Sequence, residues 1–198
     1  MPDITLLLTF AELAFLLPDE ASTVRDRLQL QRWEPDSPVA LSGAASLFAR
    51  GLLQRVEDDL IVPVEEVAIA IAAIAEAERW LEVGFARESE TGGLQVYAAG
   101  GARVDVMAQP FGTYALAVQL QGGDLAETIE SAVATFLADP AGGAAFVKRG
   151  GEHGDEVGLA VRRTPDGRVE IAAGPVDAAP VRAVQLAEAL AEVRAFAA

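Results

Sequence analysis

The chain is 198 residues long, with 30 acidic and 15 basic residues for a net charge of −15, and it contains no cysteine. That charge repels phosphate backbones and anionic lipid headgroups, which makes nucleic acid and membrane surfaces poor partners. The lack of cysteine excludes disulfides, thiolate nucleophiles and cysteine-ligated zinc. Hydrophobic residues make up 52% of the chain. The early apolar stretch from Ile4 to Leu17 is interrupted by Thr9 and Glu12, where a bilayer crossing needs roughly 20 apolar residues. It also lacks the basic leader and small-residue cleavage site of a signal peptide, and a cytoplasmic location is expected.

Ile4 to Leu8 reads as a short strand or a lead-in, and Thr9 then opens a helix with Glu12 at the capping-box spacing, stopped by Pro18. A second helix is expected over Ala21 to Gln31, followed by the turn-rich Trp33 to Pro38. Ser42 can cap a helix running to about Arg55, with Ala45, Phe48, Ala49, Leu52 and Leu53 on one face. After the acidic turn Glu57 to Asp59 and the short apolar Leu60 to Val62, a further helix is expected from Val64 to Ala77.

From Arg79 the hydrophobic period becomes two. Trp80 to Arg87, Leu94 to Ala99, Arg103 to Ala108 and Thr113 to Gln121 read as strands, with turns at Gly92-Gly93, Gly100-Gly101 and Gly112. Asp124, with Glu127 three residues on, caps a helix to about Ala138. Strands at Ala144 to Lys148, Glu156 to Arg163 and Arg168 to Ala173 follow, the last two joined by Pro165-Asp166-Gly167. Pro180 is expected to open a closing helix with Val184, Ala187, Leu190 and Val193 on one stripe. Short turns between consecutive strands make them antiparallel, and the class is α+β.

The chain also repeats itself. LQVYAAGGARVDVMAQP, Leu94 to Pro110, returns 65 residues later as LAVRRTPDGRVEIAAGP, Leu159 to Pro175, with six of seventeen positions identical. Each copy is a hairpin, and a helix precedes each set of strands, so the expected architecture is an antiparallel sheet of two pseudo-repeated helix-plus-hairpin units. An N-terminal helical part, 1–62, is expected to precede the pseudo-twofold part, 63–198. Val104 and Val169 should occupy equivalent buried positions.

Catalytic signatures are absent. His153, the one histidine, sits in the polar, glycine-flanked segment Gly150 to Glu156. This reads as a solvated turn rather than a metal site with Glu152, Asp155 and Glu156, because metal ligands need support from packed elements. No G-x-S-x-G, Walker lysine or G-x-G-x-x-G occurs. The carboxylate pairs Asp58-Asp59 and Glu65-Glu66 read as a solvated turn and a helix start favoured by the macrodipole. The repeated Arg103-Val104-Asp105 and Arg168-Val169-Glu170 read as half-exposed strands carrying opposite charges outward. No cofactor or metal is expected.

The text from Leu41 to Phe85 has a distinct grammar: a helix ending in Ala-Arg-Gly-Leu, an acidic turn, Ile-Val-Pro, a helix and a strand beginning at Arg79. Followed by antiparallel strands and a second similar half, it resembles the EspG family of type VII secretion-associated proteins from actinobacteria. The resemblance implies a cytosolic, quasi-twofold α+β protein acting as a chaperone for helical secreted substrates of the PE–PPE kind. Ala21 to Gln31, Ser42 to Gly51 and Leu52 to Val62 also have the order of a winged helix. Glu20 to Glu66, however, holds nine acidic residues against five arginines, which suits a protein partner better than DNA.

The reading is therefore a non-enzymatic, protein-binding adaptor or chaperone. The alternatives are an enzyme of unknown class or a winged-helix-type regulator. Tyr97, Met107, Phe111 and Tyr114, near the strand turns, are the candidate partner-binding residues. Otherwise they line the sheet's own core.

Overall fold

The structure, a computed structural model, describes residues 3–56, 60–77, 79–88, 90–120, 124–150, 157–174 and 180–198. His153 and its loop, Asp58 and Asp59 lie outside the described residues. The chain divides into two compact units, each drawn from two segments: 1–77 with 97–120, and 78–96 with 121–198. The strand Glu90–Ala99 carries the chain from the second unit into the first. This discontinuous division differs from a boundary at 62/63.

In the first unit, β1 (Ile4–Thr9) runs directly into α1 (Phe10–Leu16). Both halves of the expected capping box form at Thr9 and Glu12. The second helix is shorter than expected: α2 covers Ser22–Arg27. The third starts earlier, because Ser37 caps it and Pro38 takes its first position, giving α3 as Pro38–Ala49. It ends before Gly51, whose φ is +70°. Leu53–Arg55 is therefore not helical but forms β2, which pairs with β3 (Ile61–Pro63). The fourth helix, α4, is Glu65–Ala75.

Of the strands that follow, β4 is Arg79–Arg87, β5 is Glu90–Ala99, β6 is Ala102–Gln109 and β7 is Thr113–Gln119. Gly92 and Gly93 were expected to turn the chain, yet both lie inside β5. A Cβ at Gly93 would sit 2.7 Å from the Val83 carbonyl oxygen, so that glycine serves a close approach to β4. Gly100 and Gly101 do turn the chain, at φ +56° and +85°.

In the second unit, α5 is Leu125–Leu137, capped by Asp124, and β8, β9 and β10 are Gly143–Gly150, Val157–Arg163 and Val169–Gly174. The segment after Pro180 first adds a strand, β11 (Arg182–Val184), and only then the helix α6 (Leu186–Ala197).

Strand order in the first unit is β1-β7-β6-β5 and in the second β5-β4-β8-β9-β10-β11, and the strand pairs with defined register are antiparallel. The fold class is α+β, as expected. The two repeats correspond to β5-β6 and β9-β10, and their equivalent residues share burial: Val96 and Val161, Val104 and Val169, Val106 and Ile171 are all buried. Within the second unit, β4 and β8 pair with Val83 opposite Val147.

The second unit's core is built from one face of its sheet, with Val83, Val147, Leu159, Val161 and Ile171, against Ile129, Val133 and Leu137 of α5 and Val193 of α6. Each such aliphatic side chain contributes about 1.5–3 kcal/mol on burial.

Arginines from elsewhere in the chain close the helix ends. Arg87 donates to the Phe136 and Gly142 carbonyls, both at 2.9 Å, and Arg163 to that of Leu137 at 2.7 Å, at the end of α5. Arg149 donates to Phe196 O in α6 at 3.0 Å. Arg25 donates to Ala14 O at 3.1 Å and Leu17 O at 2.6 Å, at the end of α1. Neither α1 nor α5 has a basic residue in its own last turn, so the positive charge that suits a helix C-terminus arrives through tertiary structure.

Candidate protein-binding face

Strand register sorts the first unit's side chains into two faces, because residues directly opposite one another point to the same side. One face carries Leu8, Leu116, Val118, Val104 and Val106, all buried. On the other, Leu7, Ala115 and Met107 lie in one cross-strand row. Leu7 is 53% and Met107 40% exposed. The next rows are Thr9, Thr113 and Gln109 on one side and Thr5, Ala117 and Asp105 on the other. The result is an apolar row between polar ones.

Beyond the Thr9 row the chain turns from β6 to β7 through Pro110-Phe111-Gly112. Phe111 is 100% exposed and holds φ +64°, ψ 27°. A bulky side chain in the left-handed region costs about 1–2 kcal/mol. The turn is nonetheless well defined: Thr113 Oγ1 donates to Pro110 O at 3.0 Å, and Gly112, at φ +69°, packs so that a Cβ would meet the Phe10 ring at 2.9 Å. Phe10 in turn stacks on Trp33 with ring centroids 4.8 Å apart. Phe111 thus carries two unfavourable features, strain and full hydration of an aromatic ring, on a supported turn.

The four sequence candidates separate. Met107 and Phe111 lie at the surface. Tyr97 is 1% exposed, which corrects its placement in an exposed patch: it is packed into the fold. Tyr114 is half-buried; its hydroxyl donates to Leu28 O at 2.8 Å, and burial raises its pKa. Leu7 was missed because alternation within ITLLLT does not say which leucines face inward, and the register on β7 decides it.

Arg103 departs from the outward-facing strand charge expected of it. Its copy in the other repeat, Arg168, is exposed as expected, whereas Arg103 is 5% exposed, with Nη2 3.0 Å from Asp105 Oδ2. Desolvation raises the Asp105 pKa, and the adjacent Arg103 charge only partly counters it. The pair is not an outward-facing strand decoration.

The second unit offers another uncovered apolar surface. On the sheet face opposite α5 and α6 lies a cavity of about 350 Å³ whose lining includes Phe146, Lys148, Gly158, Ala160, Ala172 and Gly174. Among the described residues no group of three or more His, Cys, Asp or Glu could hold a metal ion, and no helix is long and apolar enough to cross a membrane.

No family model matches this sequence, and no curated protein does. Among solved structures it aligns with the Mycobacterium tuberculosis type VII secretion system chaperone EspG5, determined in complex with the PE25-PPE41 dimer. The alignment covers 96% of this chain and 95% of that one, at a TM-score of 0.55 and 10% sequence identity. The chain shares the fold of EspG5. At this identity the likeness to EspG5 concerns architecture, over nearly the full length of both chains.

Proposed function

We propose that this protein is a non-enzymatic, cytosolic adaptor or chaperone for a helical secretion substrate, and that the open face of β1, β7 and β6, with Phe111 at its end, is where the partner docks. The observation that carries the proposal is Phe111: fully exposed and held at positive φ. Residues in sparsely populated backbone regions persist where function requires them, and a preorganised aromatic anchor loses little entropy on binding. The Leu7–Ala115–Met107 row supplies an apolar strip of the kind that receives the apolar face of an amphipathic helix. The shared architecture with a chaperone solved in complex with a protein dimer supports the same reading.

The test is affinity capture from the native cytoplasm followed by calorimetry on the purified partner. We expect a small helical secreted protein whose affinity falls at least about tenfold with Phe111→Ala while the variant's thermal unfolding is unchanged. A partner that binds wild type and Phe111→Ala equally would remove Phe111 and this face from the proposal.

A further inference from the structure

β1 lies at the end of the first unit's strand order, and no strand among the described residues pairs with its other edge. Its sequence, ITLLLT, has no proline and no charge. Natural sheets rarely leave such an edge open, because its unpaired N–H and C=O groups template pairing with another chain.

Two backbone groups on β1 are engaged by side chains. The Thr9 N–H donates to Glu12 Oε2 at 2.7 Å, and the Leu7 carbonyl accepts from Arg50 Nη2 at 2.7 Å. Backbone groups of residues i and i+2 point to the same side of a strand, so those of Thr5, Leu7 and Thr9 face away from β7. Glu12 and Arg50 are joined to each other: Arg50 Nη1 lies 2.8 Å from both carboxylate oxygens, and Ser46 Oγ donates to Oε1 at 2.7 Å. Glu12 is fully buried, whereas the Arg50 side chain is 41% exposed.

We infer that the Glu12–Arg50 pair is an edge guard that keeps β1 from pairing with β1 of a second copy of this chain. A second copy fits because the strand is self-complementary. In the antiparallel register that sets Thr5 opposite Leu7 of the other copy, Ile4 lies against Leu8 and Leu6 against Leu6, with no like charges opposed. That ladder needs the Leu7 carbonyl, the group Arg50 holds. The same guanidinium grips Glu12, whose carboxylate also takes the Thr9 N–H, and one residue thereby controls both outward-facing contacts.

The experiment is sedimentation velocity over a concentration series, in enough salt to screen the net charge of −15. It compares wild type, Arg50→Ala, Arg50→Lys and Arg50→Ala with Thr5→Pro, each checked for fold by circular dichroism. Thr5→Pro removes an outward N–H and leaves the pairing with β7 in place. Arg50→Lys keeps a cation beside Glu12 but lacks the fork that reaches the carbonyl as well. We expect the weight-average mass of Arg50→Ala to climb with concentration toward twice that of wild type, and Thr5→Pro to return it to the wild-type value. If Arg50→Ala does not fold, Arg50→Lys is expected to show the rise. A folded Arg50 variant that sediments as wild type throughout, or association that survives Thr5→Pro, overturns the inference.

Discussion

Gly43 marks the place where α1 and α3 touch, and replacing it with alanine should be costly. A Cβ there would lie 2.1 Å from the Ala11 carbonyl oxygen, 2.3 Å from its carbon and 2.6 Å from the Glu12 nitrogen, all backbone atoms. No rotamer change can relieve such a contact, so the helices must separate by about 1 Å in an interior packed near crystal density. That separation loosens Leu13, Ala14, Ala40 and Leu47, each fully buried, and stretches the Ser46 and Arg50 bonds to Glu12. Overpacking of this kind costs about 1–3 kcal/mol, and more when the obstacle is backbone. Against it stands the gain of about 1 kcal/mol for alanine over glycine inside a helix. We expect a net loss of about 2 kcal/mol, seen as a lower urea midpoint with an unchanged slope and a melting temperature lowered by roughly 4–8 °C. A Gly43→Ala protein as stable as wild type, or more so, would refute the close crossing of α1 and α3.

Three further outcomes are expected. Phe111→Gly should leave stability within about 1 kcal/mol of wild type, since relief of left-handed strain offsets the flexibility gained by the unfolded chain; a loss above about 3 kcal/mol, the cost of truncating a buried Phe, would show the ring to be packed. Glu12→Gln should cost about 2 kcal/mol near neutral pH, a value discounted for Arg50's exposure. Burial would raise the Glu12 pKa, but the Thr9 amide, Ser46 and Arg50 hold it below the usual carboxylate value. Its contribution is therefore present above the unfolded pKa and lost as pH falls through the folded one, and acid titration of stability should be flatter in Glu12→Gln. Asp105→Asn should cost about 3 kcal/mol at neutral pH by leaving Arg103 buried without its counter-charge. The raised Asp105 pKa means that this carboxylate's burial weakens wild type increasingly as pH rises through the ordinary carboxyl range, a burden the Asn side chain lacks, so the cost should be larger in acid than at neutral pH, as denaturant titrations at two pH values would show.

What the sequence determined by itself was whatever neighbouring residues settle among themselves. The capping box at Thr9, the Asp124 side-chain cap on the Glu127 amide, the glycine turn at Gly100-Gly101, the Pro165-Asp166-Gly167 turn and the change of period at Arg79 are short-range chemistry, and each appears in the structure. The repeat likewise foretold matched burial in β5-β6 and β9-β10, because equal periodicity places equal residues on equal faces. Tertiary structure decided the rest. Gly93 resembles a turn residue until β4 is laid beside it, and the closing helix begins after β11 only because β10 offers that segment a partner. Arg103 and Arg168 have nearly identical local contexts and opposite exposures. Tyr97 is packed into the fold and Phe111 stands fully in solvent, though both are aromatic residues near strand turns. Leu7 faces out and Leu8 in because the register on β7 says so. Burial depends on what comes to lie across a residue from distant parts of the chain, and no local pattern carries that information.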